Sequence, residues 1–297
     1  MLRRHLPGAI AGDDVGVHQA RVASRRLREA IPVLATDLKA AKAKGACRRI
    51  RRLTRALGTV RELDVSLKLL DELAASDDLS RPALQDVRLH VVHERDRRRE
   101  EMLAALAELD GDKLHRRLER VAAAVDSNKA VVWRQALATR IVRRTKWFLD
   151  AVEQTGQLYA PDHLHQVRIA AKKLRYAVEL AQDSGIAAAA RHVRALKRTQ
   201  EMLGRLHDLQ VLQQHVAAAQ AAPVGKTVPH EGLGGVAGRI EEECRRLHGK
   251  YVVQIPALIE LASAIRADVV PRLTRASRQA KMTLPHGHPR AVSRSPR

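Results

Sequence analysis

The sequence predicts an all-α protein built from two similar halves, and three observations support this prediction. A basic helical pattern, HxxRxxx(R/K)(R/K)LR, occurs twice at an offset of 147 residues, beginning at His18 and at His165. A second pattern, which begins at Leu57 and at Leu203, recurs in the same order at an offset of 146. Only one Phe, two Trp and three Tyr are present in 297 residues, although 45% of the residues are hydrophobic. This composition favours helix packing over a sandwich or barrel, and the ordered repeats indicate an internal duplication.

Each copy of the first pattern predicts a helix with one cationic face and one apolar face. An α-helix advances about 100° per residue, so residues three, seven and ten positions apart share one face. The stripe of the first copy consists of His18, Arg21, Arg25 and Arg28. The stripe of the second copy consists of His165, Arg168, Lys172 and Arg175. Alanine, valine and leucine occupy the opposite faces, so we expect these helices to pack through one side and present positive charge on the other.

Turn and cap residues divide the first half into helices. We predict that Gly45 separates the first basic helix from the second. The segments 77–82 and 110–112 are expected to end the next two helices, because they combine Asp, Ser, Gly and Pro. Residues 126–128 are expected to precede a long helix from 129 to about 157.

Turn residues divide the second half into helices in the same way. It is expected to open at Pro161 and to break near 184–185. Residues 222–238 are rich in Gly and Pro and predict a loop, and the end of the chain is basic without acids and predicts disorder. The resulting assignment is an N-terminal extension over 1–14, a helical domain over 15–275 with halves 15–157 and 161–275, and a disordered basic tail over 276–297.

The charge of the chain indicates a polyanionic partner. The formal net charge is +21, and most of the 54 basic residues are arginine. A planar guanidinium can offer two parallel donors to a phosphate, whereas an ammonium acts as a point charge. Cys47 and Cys244 are too few for a disulfide framework, and the sequence has no apolar run of transmembrane length. We therefore expect a cytoplasmic protein that has no membrane contact.

The ordered motifs resemble the CHAD family, the conserved histidine α-helical domain. In each half a HxxR helix is followed by a basic helix that ends in LGxxx(D/E)L, and the similarity extends from about residue 15 to about 275. The resemblance implies two four-helix bundles related by a pseudo-twofold axis, and binding of inorganic polyphosphate. Matched by position, the implied ligand residues are His18, Arg21, Arg25, Arg28, His165, Arg168, Lys172 and Arg175, with Arg48, Arg51, Arg52, Arg194, Lys197 and Arg198 as a second layer.

The two halves of this implied site are not identical. Glu201 and His207 stand where the first half has Arg55 and Arg61. The acidic residues Glu62 and Asp208 do match each other in position, and we interpret them as orienting partners of nearby arginines rather than as general acids.

Other motifs favour a binding module over an enzyme. No GxxxxGK(S/T) loop occurs, and His90, His93 and Asp96 have no equivalent in the other half, so we predict no metal site. Glu241 and Glu243 resemble part of an ExExK strand, but they lie in a helical pattern without alternating strands. We expect a stand-alone, non-catalytic polyphosphate-binding protein that needs no cofactor and can associate with polyphosphate granules.

Two alternatives remain open at this point. A helical nucleic-acid-binding protein would share the charge, but six aromatic residues provide few stacking platforms. A metal-dependent phosphohydrolase would combine histidines with acids, and the repeated motifs contain few acids.

Overall fold

The described part of the chain consists of helices and short connections. The computed structural model describes residues 2–34, 40–75, 78–123, 130–221 and 232–282, and within these ranges there is no strand. The helices are α1 (Leu2–Ile10), α2 (Asp14–Leu34), α3 (Ala40–Ala74), α4 (Arg81–Ala107), α5 (Gly111–Ala123), α6 (Ala130–Thr155), α7 (Pro161–Asp183), α8 (Ala189–Gln220), α9 (Leu233–Asp268) and α10 (Val270–Met282). The prediction of an all-α fold is confirmed.

Several helix ends coincide with the predicted turn residues. The Oγ of Ser80 accepts a hydrogen bond from the backbone N–H of Ala83 at 3.4 Å and caps α4. Pro161 occupies the first position of α7, where a missing N–H costs nothing. The turn after α7 contains Gly185 at φ +92°, a conformation that favours glycine.

Gly45 does not separate two helices as predicted, because it lies inside α3. A single glycine costs a helix only about 1 kcal/mol. The buried side chains of Ala46 and Ile50 follow it directly, and their packing maintains the helix through this position.

The predicted loop over 222–238 is shorter than expected at its C-terminal end. Residues 222–231 lie outside the described ranges, but α9 already begins at Leu233. Leu233, Val236 and Ile240 are buried at helical spacing, so their packing outweighs the glycines that surround them.

The start of the disordered tail, predicted at residue 276, also lies too early in the sequence. Helix α10 continues to Met282, and its residues Leu273 and Ser277 are buried. Residues 283–297 lie outside the described part of the structure.

Two apolar cores organise the helices. The smaller core joins α1 and α5 to α2, the first part of α3 and the last part of α4. The larger core joins α6 to α10, and it continues into the remaining parts of α3 and α4. The predicted extension over 1–14 therefore contains a packed helix, since Leu2, Leu6 and Ala9 are buried in the smaller core.

Helix α6 differs from the predicted division at 157 and 161. We assigned it to the first half, but it packs mainly on α7, α9 and α10. The cause is its apolar face, which buries Leu137, Ile141 and Phe148 in the larger core. Helix α6 thus precedes α7 as α1 precedes α2, while the internal duplication stays a prediction.

Candidate polyanion-binding site

The two basic helices lie against each other in the folded chain. Helices α2 and α7 are in contact, and each is backed by the helix that follows it, α3 behind α2 and α8 behind α7. Small residues allow the close packing: Ala20 and Ala23 are buried on α2, as are Ala170 and Ala171 on α7. The apolar faces that the repeats predict thus point inward, which leaves the two cationic stripes facing the same region.

A polar contact lies at the same place behind each basic helix. Thr54 Oγ1 of α3 is 2.9 Å from Ser24 Oγ of α2. Gln200 Nε2 of α8 donates to the carbonyl of Ala171 in α7 at 3.0 Å. These two pairs stand at the repeat offsets, and both fix the rotation of a basic helix about its axis.

Cations from both helices line one cavity of about 330 Å³. We call this cavity the α2–α7 cleft. Its walls consist of Arg25, Arg28, Glu29, Arg168, Ile169, Lys172, Lys173 and Tyr176. Five of these residues are basic and one is acidic, so an anion that enters the cleft meets positive charge from two helices at once.

Matched ion pairs hold an arginine in each half. Arg21 Nη2 lies 3.6 Å from Glu62 Oε1, and Arg168 Nη2 lies 3.9 Å from Asp208 Oδ1. Both distances exceed hydrogen-bond length, so the carboxylates attract the guanidinium groups without saturating them. The Nε atoms of Arg21 and Arg168 are buried and have no hydrogen-bond partner among the described residues. The two guanidinium groups are therefore not saturated by the described part of the protein.

Comparisons with known proteins agree with the motifs. The CHAD domain family matches residues 1–217, which include α1 to α7 and nearly all of α8. The chain belongs to the CHAD domain family. The crystal structure of the CHAD domain from the plant Ricinus communis superimposes with a TM-score of 0.55 at 23% identity, covering 94% of this chain and 86% of that one. This likeness supports the fold. No curated protein matches the sequence.

Lys172 lies in strongly positive surroundings, close to three arginines. Burial, together with Arg168, Arg25 and Arg21, lowers its pKa to about 6. Burial also lowers the pKa of Arg21 to about 10, with Arg25 as the next cause. At neutral pH the arginines stay charged and the Lys172 amine is largely neutral.

The histidine of each stripe has different neighbours. His18 is exposed and lines a second cavity of about 550 Å³ with Arg61, Lys68 and Arg95. Burial and then Arg61 lower the pKa of His18. His165 is half-buried on α7.

His165 forms a close pair with a histidine of α8. Its Nδ1 lies 3.3 Å from His207 Nδ1, and the ring centroids are 4.6 Å apart. One ring must donate and the other accept, so a neutral pair satisfies the contact. Burial and then Arg168 lower the pKa of His207 to about 3, and burial also lowers the pKa of His165.

The last arginine of each stripe also differs between the halves. Arg28 lines the cleft. Arg175 does not line it, because its Nη1 donates to Glu179 Oε1 at 3.2 Å and its guanidinium lies 4.8 Å from the centroid of the Tyr176 ring.

The structure does not bring the predicted second layer to the cleft. The six side chains are exposed on α3 and α8, and none of them lines the cavity: Arg48, Arg51, Arg52, Arg194, Lys197 and Arg198. Arg52 instead pairs with Glu108 after α4. Helix periodicity explains the result, because these residues face away from the buried Ile50, Leu53 and Leu196.

Sequence reasoning missed several residues near the site. Lys173 adjoins Lys172 in the motif but was not chosen, and its Nζ lies 4.4 Å from the centroid of the Trp147 ring. Arg95 lies outside the repeated motifs, and its Nε donates to Asp64 Oδ1 at 2.6 Å beside His18. Arg61 could have been found, because it matches His207 at the repeat offset.

No helix in the described ranges combines the length and apolar character needed to span a bilayer. Among the same residues, no three His, Cys, Asp or Glu side chains are grouped so as to hold a metal ion.

Proposed function

We propose that this CHAD domain binds inorganic polyphosphate in the α2–α7 cleft without catalysing its turnover. The observation that carries the proposal is the convergence of Arg25 and Arg28 from α2 with Arg168, Lys172 and Lys173 from α7 on one cavity. Like charges on one helix repel one another, and a bound anion would offset this repulsion. The protein would be recruited wherever polyphosphate accumulates, including cytoplasmic granules.

The spacing of the cations suits a linear polymer of phosphates. Residues one turn apart on a helix are separated by about 5 Å along its axis, and both stripes repeat at three or four residues. Release of condensed counterions from the polymer supplies much of the driving force, as it does for nucleic acids. A single phosphate would engage one or two of these cations, whereas a chain can engage those of both helices.

The acids near the cleft support binding over catalysis. Glu62 and Asp208 lie beside Arg21 and Arg168, in keeping with their interpretation as orienting partners. At these positions the carboxylates reduce the repulsion between neighbouring guanidinium groups, which is a role in binding rather than in proton transfer.

A competition experiment tests the proposal against nucleic-acid binding. Labelled long-chain polyphosphate is bound to the protein and displaced by unlabelled polyphosphate, single-stranded DNA or RNA at matched phosphate concentration and physiological salt. We expect polyphosphate to displace the label most effectively, and Arg25→Ala to weaken binding while Arg239→Ala on α9 does not. Equal or stronger displacement by single-stranded DNA would identify a nucleic-acid-binding protein instead.

The absence of turnover is tested on the same samples. Incubation with polyphosphate and divalent cations should release no orthophosphate above the level of a protein-free control. Sustained release that is abolished by His18→Ala or His165→Ala would show that the site is catalytic.

A further inference from the structure

The two halves of the site differ in whether their charge is permanent. Arg25 and Arg61 of the first half correspond to Lys172 and His207 of the second at the repeat offsets. A guanidinium is charged at every ordinary pH, whereas an amine and an imidazole can lose their proton when their surroundings disfavour charge. At these two positions the charge is therefore fixed in the first half and can titrate in the second.

The surroundings of Lys172 disfavour its charged form in the free protein. Its half-buried side chain is faced by Arg21 and Arg25 of α2, by Arg168 one turn earlier on α7, and by Asp208 of α8. The single acid among these neighbours already lies beside Arg168. Lys172 makes no ion pair with another described residue.

The neighbouring groups do not compensate for this repulsion. Glu29, the acid on the wall of the cleft, is bound by Arg140 and Arg144 of α6. His207 faces His165, Arg168 and Lys172, so its imidazole is also kept neutral by burial and nearby positive charge. The pKa of Lys172 at about 6 agrees with this geometry.

We propose that Lys172 takes up a proton when polyphosphate enters the α2–α7 cleft, so that the ligand itself completes the charge of the second half. The inference rests on the proposed function. Phosphate oxygens next to the amine reverse the balance of charge around it, and an opposite charge within about 4–6 Å favours the ammonium. The ammonium then offers three donors to the ligand.

The consequence is that protonation of Lys172 makes the affinity for polyphosphate depend on pH. Between about pH 6 and the higher pKa of the complex, the free amine is neutral and the bound one is charged, so each binding event consumes up to about one proton. Affinity then falls by up to about tenfold for each unit of rising pH. Below about pH 6 the amine is charged before the ligand arrives, and the contribution of Lys172 to the pH dependence disappears.

Isothermal titration calorimetry of the full chain with long-chain polyphosphate tests this inference. Titrations at about pH 8 in two buffers of different ionisation enthalpy give the number of protons taken up per site. We expect the wild-type protein to take up close to one proton. Lys172→Arg should bind with most of that uptake lost and with affinity that changes little between about pH 7 and 9. Lys146→Arg, an exposed position on α6 paired with Asp150, should behave as the wild type.

The outcomes separate this inference from the proposed function. Tight binding by the wild-type protein with no buffer dependence would overturn the proton uptake and leave polyphosphate binding intact. Unchanged uptake in a folded Lys172→Arg protein would assign the proton to another group and overturn the role of Lys172. Failure of the wild-type protein to bind polyphosphate at all would overturn the proposed function, and this inference with it.

Discussion

Glu62 and Asp208, which lie beside Arg21 and Arg168, each have two opposing effects on the binding of an anion. Glu62 attracts Arg21 and so orients it, but its charge also repels phosphate. The separation of 3.6 Å and the 47% exposure of the Glu62 side chain favour the second effect, since exposed ion pairs contribute only about 0–1 kcal/mol.

We therefore expect Glu62→Gln to tighten polyphosphate binding by about twofold to fivefold, which corresponds to less than about 1 kcal/mol. Fluorescence anisotropy at low salt measures the effect, which should shrink as salt screens the charge. Glu119→Gln on α5 serves as the control, because it removes the same charge at an exposed site paired with His115. Weaker binding by Glu62→Gln would mean that orientation of Arg21 dominates.

Burial of Lys172 also lowers the stability of the free protein, by an amount that depends on pH. Its pKa is about 6 in the folded state, against about 10.4 for an ordinary lysine. Between these values the unfolded chain holds a proton that the folded chain gives up, so stability increases as pH rises through this range. Below about pH 6 both states hold the proton and the full cost of burying the charge remains.

Lys172→Met should accordingly stabilise the free protein, and more at about pH 6.5 than at about pH 9.5. A gain of about 1 kcal/mol would raise the melting temperature by about 2–4 °C for a chain of this size. Thermal denaturation followed by circular dichroism measures the change at both pH values, with Lys146→Met as the exposed control. Equal shifts at the two pH values would show that packing of the methionine, and not loss of the charge, is responsible.

At the scale of helices, repeated patterns were more informative than single residues. The spacing of the two stripes predicted the faces of α2 and α7. Most residues of the apolar sides are buried: Ala20, Ala23, Ile31, Val167, Ala170, Leu174 and Ala177. Leu27, Ala30 and Leu34 on the same side of α2 are only half-buried. Isolated glycines led to wrong predictions of a helix end at Gly45 and of a loop across 233–238. Burial of the neighbouring apolar side chains outweighs the cost of about 1 kcal/mol per glycine in a helix. Helix α1 was missed, since nine residues with an internal proline give little periodic signal.

The contact of α1 with α2 depends on a glycine that has no room for a side chain. A Cβ on Gly16 would lie 2.6 Å from the backbone N of Ala9 and 2.6 Å from the carbonyl carbon of Gly8. Both neighbours are backbone atoms, which cannot move aside without displacing the whole helix.

Gly16→Val should destabilise the protein by about 1–3 kcal/mol, as expected for overpacking a tight contact. Gly58→Ala on α3 provides a matched comparison, because a Cβ there meets no atom within 4 Å and alanine favours the helix by up to about 1 kcal/mol. In urea denaturation, the midpoint concentration of Gly16→Val should be lower than that of the wild-type protein. The midpoint of Gly58→Ala should be equal to it or higher. A Gly16→Val protein as stable as the wild type would contradict the close packing of α1.

At the scale of the whole molecule, buried acids join the basic helices to their neighbours, α2 to α6 and α7 to α2. Glu29 of α2 is 8% exposed, and Arg140 Nη2 of α6 lies 2.6 Å from its Oε2. On α7, Glu179 lies 3.7 Å from Arg26 of α2 and accepts from Arg175. These acids could not be found from the repeats, since they do not occupy equivalent positions and their arginine partners lie on different helices.

The predicted second layer lies away from the cleft for a related reason. The repeats correctly identified basic residues on α3 and α8, but a sequence repeat does not show which face of a helix meets the cleft. Only the fold shows that Arg48 and Arg194 point to solvent, while Arg61 and Lys173 lie beside the stripes. The orientation of the basic helices was easier to predict, because helical spacing alone separates their charged and apolar faces.

A cleft shared by both halves makes a symmetric prediction for polyphosphate binding. Arg21→Ala with Arg25→Ala should weaken binding by at least about tenfold, and Arg168→Ala with Lys172→Ala should weaken it comparably. Each lost phosphate contact should also reduce the slope of log affinity against log salt by about 0.7, if single-stranded nucleic acid is a fair guide to this polymer. Removal of residues 283–297, which lie outside the described ranges, should matter much less.

Stability distinguishes a binding role from a structural one in these double variants. Three of the four side chains line the cleft, and relief of like-charge repulsion should leave the melting temperature unchanged or slightly raised. Full binding by one folded double variant and near-complete loss by the other would refute the shared cleft, because it would confine the ligand to a single helix. Unfolding of either variant would instead show that the substituted basic residues are needed for folding. Comparable losses in two stable proteins require a ligand that touches α2 and α7 together, which is the arrangement that their packing creates.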